Sequence, residues 1–252
     1  MTLAGSATYW SARMATVENH LIELLPRKDR LRLLEQCESV EMKLGDVICE
    51  PGVPTRHVYF PTDGFISFVA MRDGKPGLEV GMVGREGMLG EQLVLGEMVT
   101  PFHAVVQGPG VAWRIDAGNF RKELTHSVAL QRILRRYLYV RMLQLANLAV
   151  CVRFHQIGPR LARWLLMSQD RAHADSFHMT HEIMAYMLGV RRVGITTAAG
   201  TLQRDGLIEY HHGYLSVQDR PGLQAAACSC YAKDAEAYEK QLGDVAAAEI
   251  RR

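Results

Sequence analysis

The sequence predicts an α+β chain in which a roll of short strands, one long helix and a compact two-helix-and-hairpin unit follow one another. Three observations carry this. From Val40 to Ile115, short runs rich in Val, Ile, Phe and Tyr alternate with Gly-Asp, Pro-Gly and Gly-Pro-Gly turns. From Ser127 to Val152 a helical pattern runs without proline or glycine. Thr180–Asp219 then sets two short helical patterns either side of Gly189 and ends in two strand-like runs around His211-His212-Gly213.

In chain order, residues 1–17 are small and polar and read as a loose arm. Glu18–Leu25 and Arg27–Gln36 read as two short helices around Pro26. The strands are expected at Val40–Leu44, Val47–Glu50, Arg56–Phe60, Phe65–Met71, Leu78–Val83, Phe102–Gln107 and Val111–Ile115. Their even spacing and turn chemistry predict a jelly-roll, or double-stranded β-helix. Asp116 is placed to cap a helix over Ala117–Leu124. On the long helix Leu134, Leu138, Leu145, Leu148 and Val152 form one apolar stripe, interrupted at Arg141, while Ile133, Tyr137 and Val140 form a second. A helix with two apolar faces must bury both, so one is expected against the roll and the other against the same helix of a second copy. A hinge is expected near Arg153–Gly158, with Pro159 opening the next helix. Past Pro221 a final helix should carry Leu223, Ala227, Tyr231, Tyr238 and Leu242. The expected units are thus 1–17 (arm), 18–124 (roll), 125–153 (dimerisation helix), 154–224 (two-helix-and-hairpin unit) and 225–252 (helical extension).

Bulk composition bounds the function only loosely. The 252 residues are 48% hydrophobic and 22% charged, with a net charge of +2, which advertises neither a polyanion partner nor disorder. No apolar run is long enough to span a bilayer, and no signal-peptide pattern is present. Five unpatterned cysteines (37, 49, 151, 228 and 230) suit a reducing, cytoplasmic setting.

The segment Thr180–Asp219 is the most informative. Thr180 is a good N-cap, Ile183, Met184, Met187 and Leu188 form an apolar stripe, and Gly189 can take the positive φ that stops a helix. The second helix, from about Arg191 to Arg204, turns Ile195, Ala198, Ala199 and Leu202 inward. Its outer face holds Arg192, Val193, Thr196, Thr197, Thr201 and Arg204. Arginine forks suit guanine, and Thr or Val methyls suit the thymine methyl, so this is a reader of the DNA major groove with the hairpin as its wing. Thr180 and His181 are expected at phosphate, with Arg191 at the helix start and His212 on the wing. Gly194 and Gly200 each cost about 1 kcal/mol relative to alanine, so packing must hold this helix.

These residues resemble the winged-helix domain of the Crp/Fnr family of bacterial transcription regulators. The matching pieces are Thr180-His181-Glu182-Ile183-Met184-Ala185-Tyr186-Met187-Leu188-Gly189 and Leu202-Gln203-Arg204-Asp205-Gly206-Leu207-Ile208. The family often has Arg-Glu and then Arg four residues on; here those positions are Arg192, Val193 and Thr197, which implies a different operator. Gly52, Tyr59-Phe60 before Gly64, and Met88-Leu89-Gly90-Glu91 extend the resemblance into the roll, with the last at the family's phosphate-cassette position. The resemblance implies a homodimer that binds double-stranded DNA at a palindromic operator, with RNA polymerase as a partner if it activates.

Cyclic-nucleotide binders of the family have a Gly-Glu pair and then an Arg-Ser/Thr-Ala run. Here Gly90-Glu91 is followed by Phe102-His103-Ala104, which puts Phe102 in the arginine slot. A buried phosphate without a cation costs several kcal/mol, so cyclic-nucleotide dependence is not expected. Glu91, Phe102 and His103 are then the candidate pocket for some other small effector, while Glu91 without such a ligand reads as a capping or salt-bridged carboxylate. Haem would need a ligand such as His57 or His103. An iron–sulfur cluster would need about four convergent cysteines, and Cys228 and Cys230, two apart on a predicted helix, point to different faces. No metal and no cofactor are therefore expected. Enzyme motifs are absent: Gly81-x-x-Gly84-x-x-Gly87 has no helix after it, and the His-x-His spacing of a cupin metal site is missing. The competing reading is a small-molecule-sensing roll whose winged helix makes protein contacts.

Overall fold

The computed structural model describes residues 19–72, 75–172, 176–211 and 213–243. The expected arm, the last nine residues and His212 lie outside them. Helices α1 (His20–Glu23) and α2 (Arg27–Leu34) precede seven strands: β1 (Glu38–Met42), β2 (Val47–Cys49), β3 (His57–Pro61), β4 (Phe65–Arg72), β5 (Lys75–Val83), β6 (Phe102–Gly108) and β7 (Gly110–Asp116). A 3-10 turn, Glu91–Leu95, separates β5 from β6. All pairings are antiparallel, in a four-stranded sheet of order β2-β6-β4-β5 and a three-stranded sheet of order β1-β7-β3. Met42, Ile66, Phe68, Val83, Leu89, Ala104, Val106 and Ala112 fill the space inside the roll.

Helix α3 (Ala117–His126) starts where Asp116 accepts hydrogen bonds from the Gly118 and Asn119 amides, at 2.8 and 3.2 Å. Helix α4 (Val128–Phe154) is likewise capped by Ser127, which accepts from Leu130 N at 3.0 Å. Its stripe of Ile133, Tyr137 and Val140 is buried against Phe60, Phe120 and Met88, as its period requires. Leu134 joins that core and is fully buried within the chain, which corrects its expected place at a subunit seam. Such burial contributes about 2 kcal/mol and leaves nothing for a partner to cover.

Helix α5 (Ile157–Ala172) begins two residues before Pro159, because a proline in the first helical turn gives up only an amide that would be orphaned anyway. Strand β8 (Ser176–His178), α6 (His181–Leu188), α7 (Arg192–Arg204), β9 (Ile208–His211) and β10 (Tyr214–Val217) complete the winged helix, with sheet order β8-β10-β9. The third strand, β8, has no periodic signal of its own and forms by pairing with β10. The single final helix expected from the sequence is two: α8 (Arg220–Ala226) and α9 (Cys230–Tyr238), followed by one wide turn, Glu239–Gly243. Ala227 is extended, with φ −72° and ψ 153°, so the chain breaks just before Cys228.

The winged helix packs on its own chain's roll. Phe65, Val69 and Met82 of β4 and β5 share a core with Leu161, Trp164, Leu165, Met184 and Ile195. Arg171 pairs with Glu86 of the roll at 2.7 Å, and within the winged helix Arg160 donates to the Leu188 carbonyl at 2.6 Å. Within this contact Glu79 accepts from Trp164 Nε1 at 2.9 Å and from Ser67 Oγ at 2.6 Å. Burial pushes the Glu79 carboxyl up to about 7 against those hydrogen bonds and the more distant Arg171 and Arg163.

Candidate nucleic-acid interface and effector pocket

The winged helix builds its outer face from local chemistry. Thr180 accepts from Ile183 N at 3.2 Å and starts α6. Gly189 stops it in the left-handed region at φ 64°, where an L side chain would be strained, and the chain turns into α7 with Arg191 at its N-cap. Ile195, Ala198, Ala199 and Leu202 are buried, which leaves Arg192, Val193, Thr196, Thr197, Thr201 and Arg204 exposed on one side. Three threonine hydroxyls of this face are turned back on the helix: Thr196, Thr197 and Thr201 donate to the carbonyls of Arg192, Val193 and Thr197, at 3.0–3.1 Å. Their methyl groups are therefore oriented by the helix itself. Arg204 donates to the Gly200 carbonyl and to Thr201 Oγ1, so its guanidinium is steered along the same face.

His181 departs from the expected phosphate contact. Its ring stacks on Tyr210 of the wing, with centroids 4.4 Å apart, and its Nδ1 lies 3.1 Å from Thr196 Oγ1. Nε2 is buried without a partner. Through these contacts His181 ties α6, α7 and the wing together. Burial, with Arg192 nearby, holds it below the usual imidazole range, which favours the neutral ring.

In the roll, Glu91 is held at the start of the 3-10 turn, and Phe102 and His103 lie at the start of β6, paired in register with Ala70 and Val69. Phe102 sits edge-on to Phe68, with centroids 6.3 Å apart. The residue that sequence reasoning missed here is Arg141. It leaves the buried side of α4 and enters the roll, with its guanidinium 4.9 Å over the Phe68 ring and its Nε 3.7 Å from Glu91 Oε1. A Cβ on Gly81 would lie 2.7 Å from both terminal guanidinium nitrogens, so the glycine makes room for this side chain. The signal was the interruption of the apolar stripe at that position. Burial raises the Glu91 pKa despite Arg141.

On α4, Leu138 and Leu148 are half-buried, while Leu145 and Val152 are 37% and 38% exposed. The uncovered apolar side also includes Tyr139 and Met142, the latter 65% exposed. It is rotated from the expected stripe, since Leu134 has turned inward.

A roll whose interior meets a long helix, followed by a winged helix with a polar, cationic recognition face, defines a DNA-binding transcription regulator of the cyclic-nucleotide-domain type. Residues 39–127 match the cyclic nucleotide-binding domain and residues 159–226 the Crp-like helix-turn-helix domain, together more than half of the chain. The chain belongs to the Crp/Fnr family of transcription regulators. It is 24% identical over 214 residues to the global nitrogen regulator of Synechococcus elongatus, covering 81% of this chain and 95% of that protein. The fold is similar to a transcriptional regulator of the crp/fnr family from Eubacterium rectale (TM-score 0.64, 16% identity, 82% of this chain and 96% of the other). It is also similar to the c-di-GMP-responsive global regulator CLP of Xanthomonas campestris (TM-score 0.62, 17% identity, 76% and 99%). No described helix is long and apolar enough to cross a membrane.

Proposed function

We propose that this regulator binds a roughly palindromic operator as a cytoplasmic homodimer, does so without a cyclic nucleotide, and has no catalytic role. The observation that carries the reading is the outer face of α7, where Arg192, Val193, Thr196, Thr197, Thr201 and Arg204 stand exposed on a helix whose other side is packed. Arg192 is the base reader, because it lies in the first turn, the part of a recognition helix that meets base edges. Thr180 and Arg191 serve as phosphate contacts flanking it, and Arg204 follows the backbone at the far end. The uncovered side of α4 (Tyr139, Met142, Leu145 and Val152) supports a two-fold seam with the same helix of a second copy. Two recognition helices so arranged reach half-sites about 34 Å apart.

Independence from cyclic nucleotides rests on two features. Phe102 stands where a phosphate would need a cation, and Arg141 already occupies the space beside Glu91. Any effector of this roll would be seated around the Arg141–Glu91 pair.

The deciding experiment is selection of binding sites from a random DNA pool with the wild type and Arg192→Ala. The variant should lose preference at one base pair in each half-site, a discrimination of about 1–3 kcal/mol. Identical operators with identical preferences would show that Arg192 is not the reader. A steep fall of affinity with salt separates this reading from a winged helix used for protein contacts.

A further inference from the structure

The last turn of α4 and the break between α8 and α9 bring four metal-ligating side chains together: Cys151, His155, Cys228 and Cys230. From this convergence we infer a mononuclear, tetrahedral Zn²⁺-class site with a Cys₃His ligand set, fastening the C-terminal helices to the hinge below the winged helix.

The geometry is that of a chelate. Cys151 lies in the last turn of α4, and His155 is the helix's C-cap, whose amide donates to the Cys151 carbonyl at 3.1 Å. Cys228 and Cys230 would diverge on a continuous helix, but Ala227 is extended and α9 begins only at Cys230, so both thiols turn toward α4. All four ligand atoms lie within 4.8 Å of one another. Cys151 Sγ and Cys228 Sγ are 3.5 Å apart, and Cys230 Sγ is 3.6 Å from His155 Nδ1. With Zn–S near 2.3 Å and Zn–N near 2.0 Å, a tetrahedron has edges of about 3.8 Å for S···S and about 3.5 Å for S···N. The observed separations need only small side-chain adjustments to meet these. An iron–sulfur cluster would spread its outer ligands further, because bridged irons sit between them.

The surroundings suit such a centre. Cys151, Cys228 and Cys230 are buried, which excludes competing water. Two buried arginines, Arg160 and Arg163, act electrostatically on Cys151 and Cys228, and Arg163 is itself anchored to Asp234 of α9 at 2.6 Å. Three thiolates on a divalent ion leave one net negative charge, which a guanidinium offsets. Binding converts three thiols to thiolates and releases their protons to solvent. Cys37 and Cys49 lie apart, in the roll, and take no part. The site would tie α4, the α8–α9 junction and the start of α5 into one unit, the last through the Cys228 amide, which donates to the Pro159 carbonyl at 3.2 Å.

The test uses the full chain purified under reducing conditions. Elemental analysis should find about one zinc per chain, and metal-free protein titrated with Co²⁺ should develop the thiolate charge-transfer and tetrahedral d–d bands of a sulfur-rich site. Cys228→Ser and Cys230→Ser should each weaken Co²⁺ binding at least tenfold, whereas Cys37→Ser and Cys49→Ser should bind as the wild type does. Removing the metal should raise hydrogen exchange in α9 and in the last turn of α4. The wild-type titration decides the matter even if a ligand variant fails to fold. No metal uptake, iron accompanied by acid-labile sulfide, equal loss in the Cys37 or Cys49 variants, or a native Cys151–Cys228 disulfide that excludes metal would each overturn the inference.

Discussion

Glu79 offers a direct measure of how the winged helix is held on the roll. The residue is 6% exposed, and its carboxyl accepts from Trp164 on one oxygen and Ser67 on the other. Burial raises its pKa from 4.5 to about 7. The folded chain therefore binds a proton more tightly than the unfolded chain, and the linkage sign follows. Glu79 costs no stability below about pH 4.5, then costs progressively more up to about pH 7, above which the loss is complete. At about 1.4 kcal/mol per pKa unit, the full loss is about 3 kcal/mol, of which about 2 falls between pH 5.5 and pH 8. Glu79→Gln replaces the neutral carboxyl with an amide that still accepts from Trp164 and can donate to Ser67. Urea unfolding followed by tryptophan fluorescence, at fixed protein concentration, should show the variant more stable than the wild type at pH 8 by about 2–3 kcal/mol. The two should converge toward pH 4.5. Parallel pH profiles would refute the reasoning, since they would mean that Glu79 is ionised in the folded state.

Other perturbations test the remaining assignments. Met142→Asp with Leu145→Asp should convert a dimer to a monomer in sedimentation, because it places charges in a dry seam; a wild-type monomer at micromolar concentration would remove the seam altogether. Arg141→Met should cost about 3–5 kcal/mol in chemical denaturation by stranding Glu91, while adding Glu91→Gln should restore much of it; equal losses in both would detach Arg141 from Glu91. Gly200→Ala should raise stability by about 1 kcal/mol, since among the described residues no atom beyond its own stretch of helix lies within 4 Å of the added Cβ and the helix gains propensity. Calorimetry with cyclic AMP should give no saturable heat for the wild type; tight binding lost on Glu91→Ala would mean that the cassette does admit the nucleotide.

Local patterns decided much of this molecule. Period-two runs between turn residues specify the strands of the roll to within a few residues, and Asp116, Ser127 and Thr180 mark their helix starts because a capping oxygen works through bonds three residues away. The outward arginines and threonines of α7 were legible for the same reason: helical period assigns a face without knowledge of what covers the other. Tertiary structure decided the rest. Periodicity could not say whether Leu134 meets its own roll or a second copy, since both are apolar surroundings. His181 carries no sequence mark of its place between Tyr210 and Thr196, and Arg141 showed only as a break in a stripe until Gly81 and Phe68 were seen to receive it. The cysteines were least legible. A two-residue spacing puts Cys228 and Cys230 on opposite sides of an ideal helix, and only the extended backbone at Ala227 swings both toward Cys151 and His155, 77 positions earlier in the case of the Cys151–Cys228 pair. Long-range convergence of this kind depends on where the chain breaks and folds back, which short-range propensity does not encode.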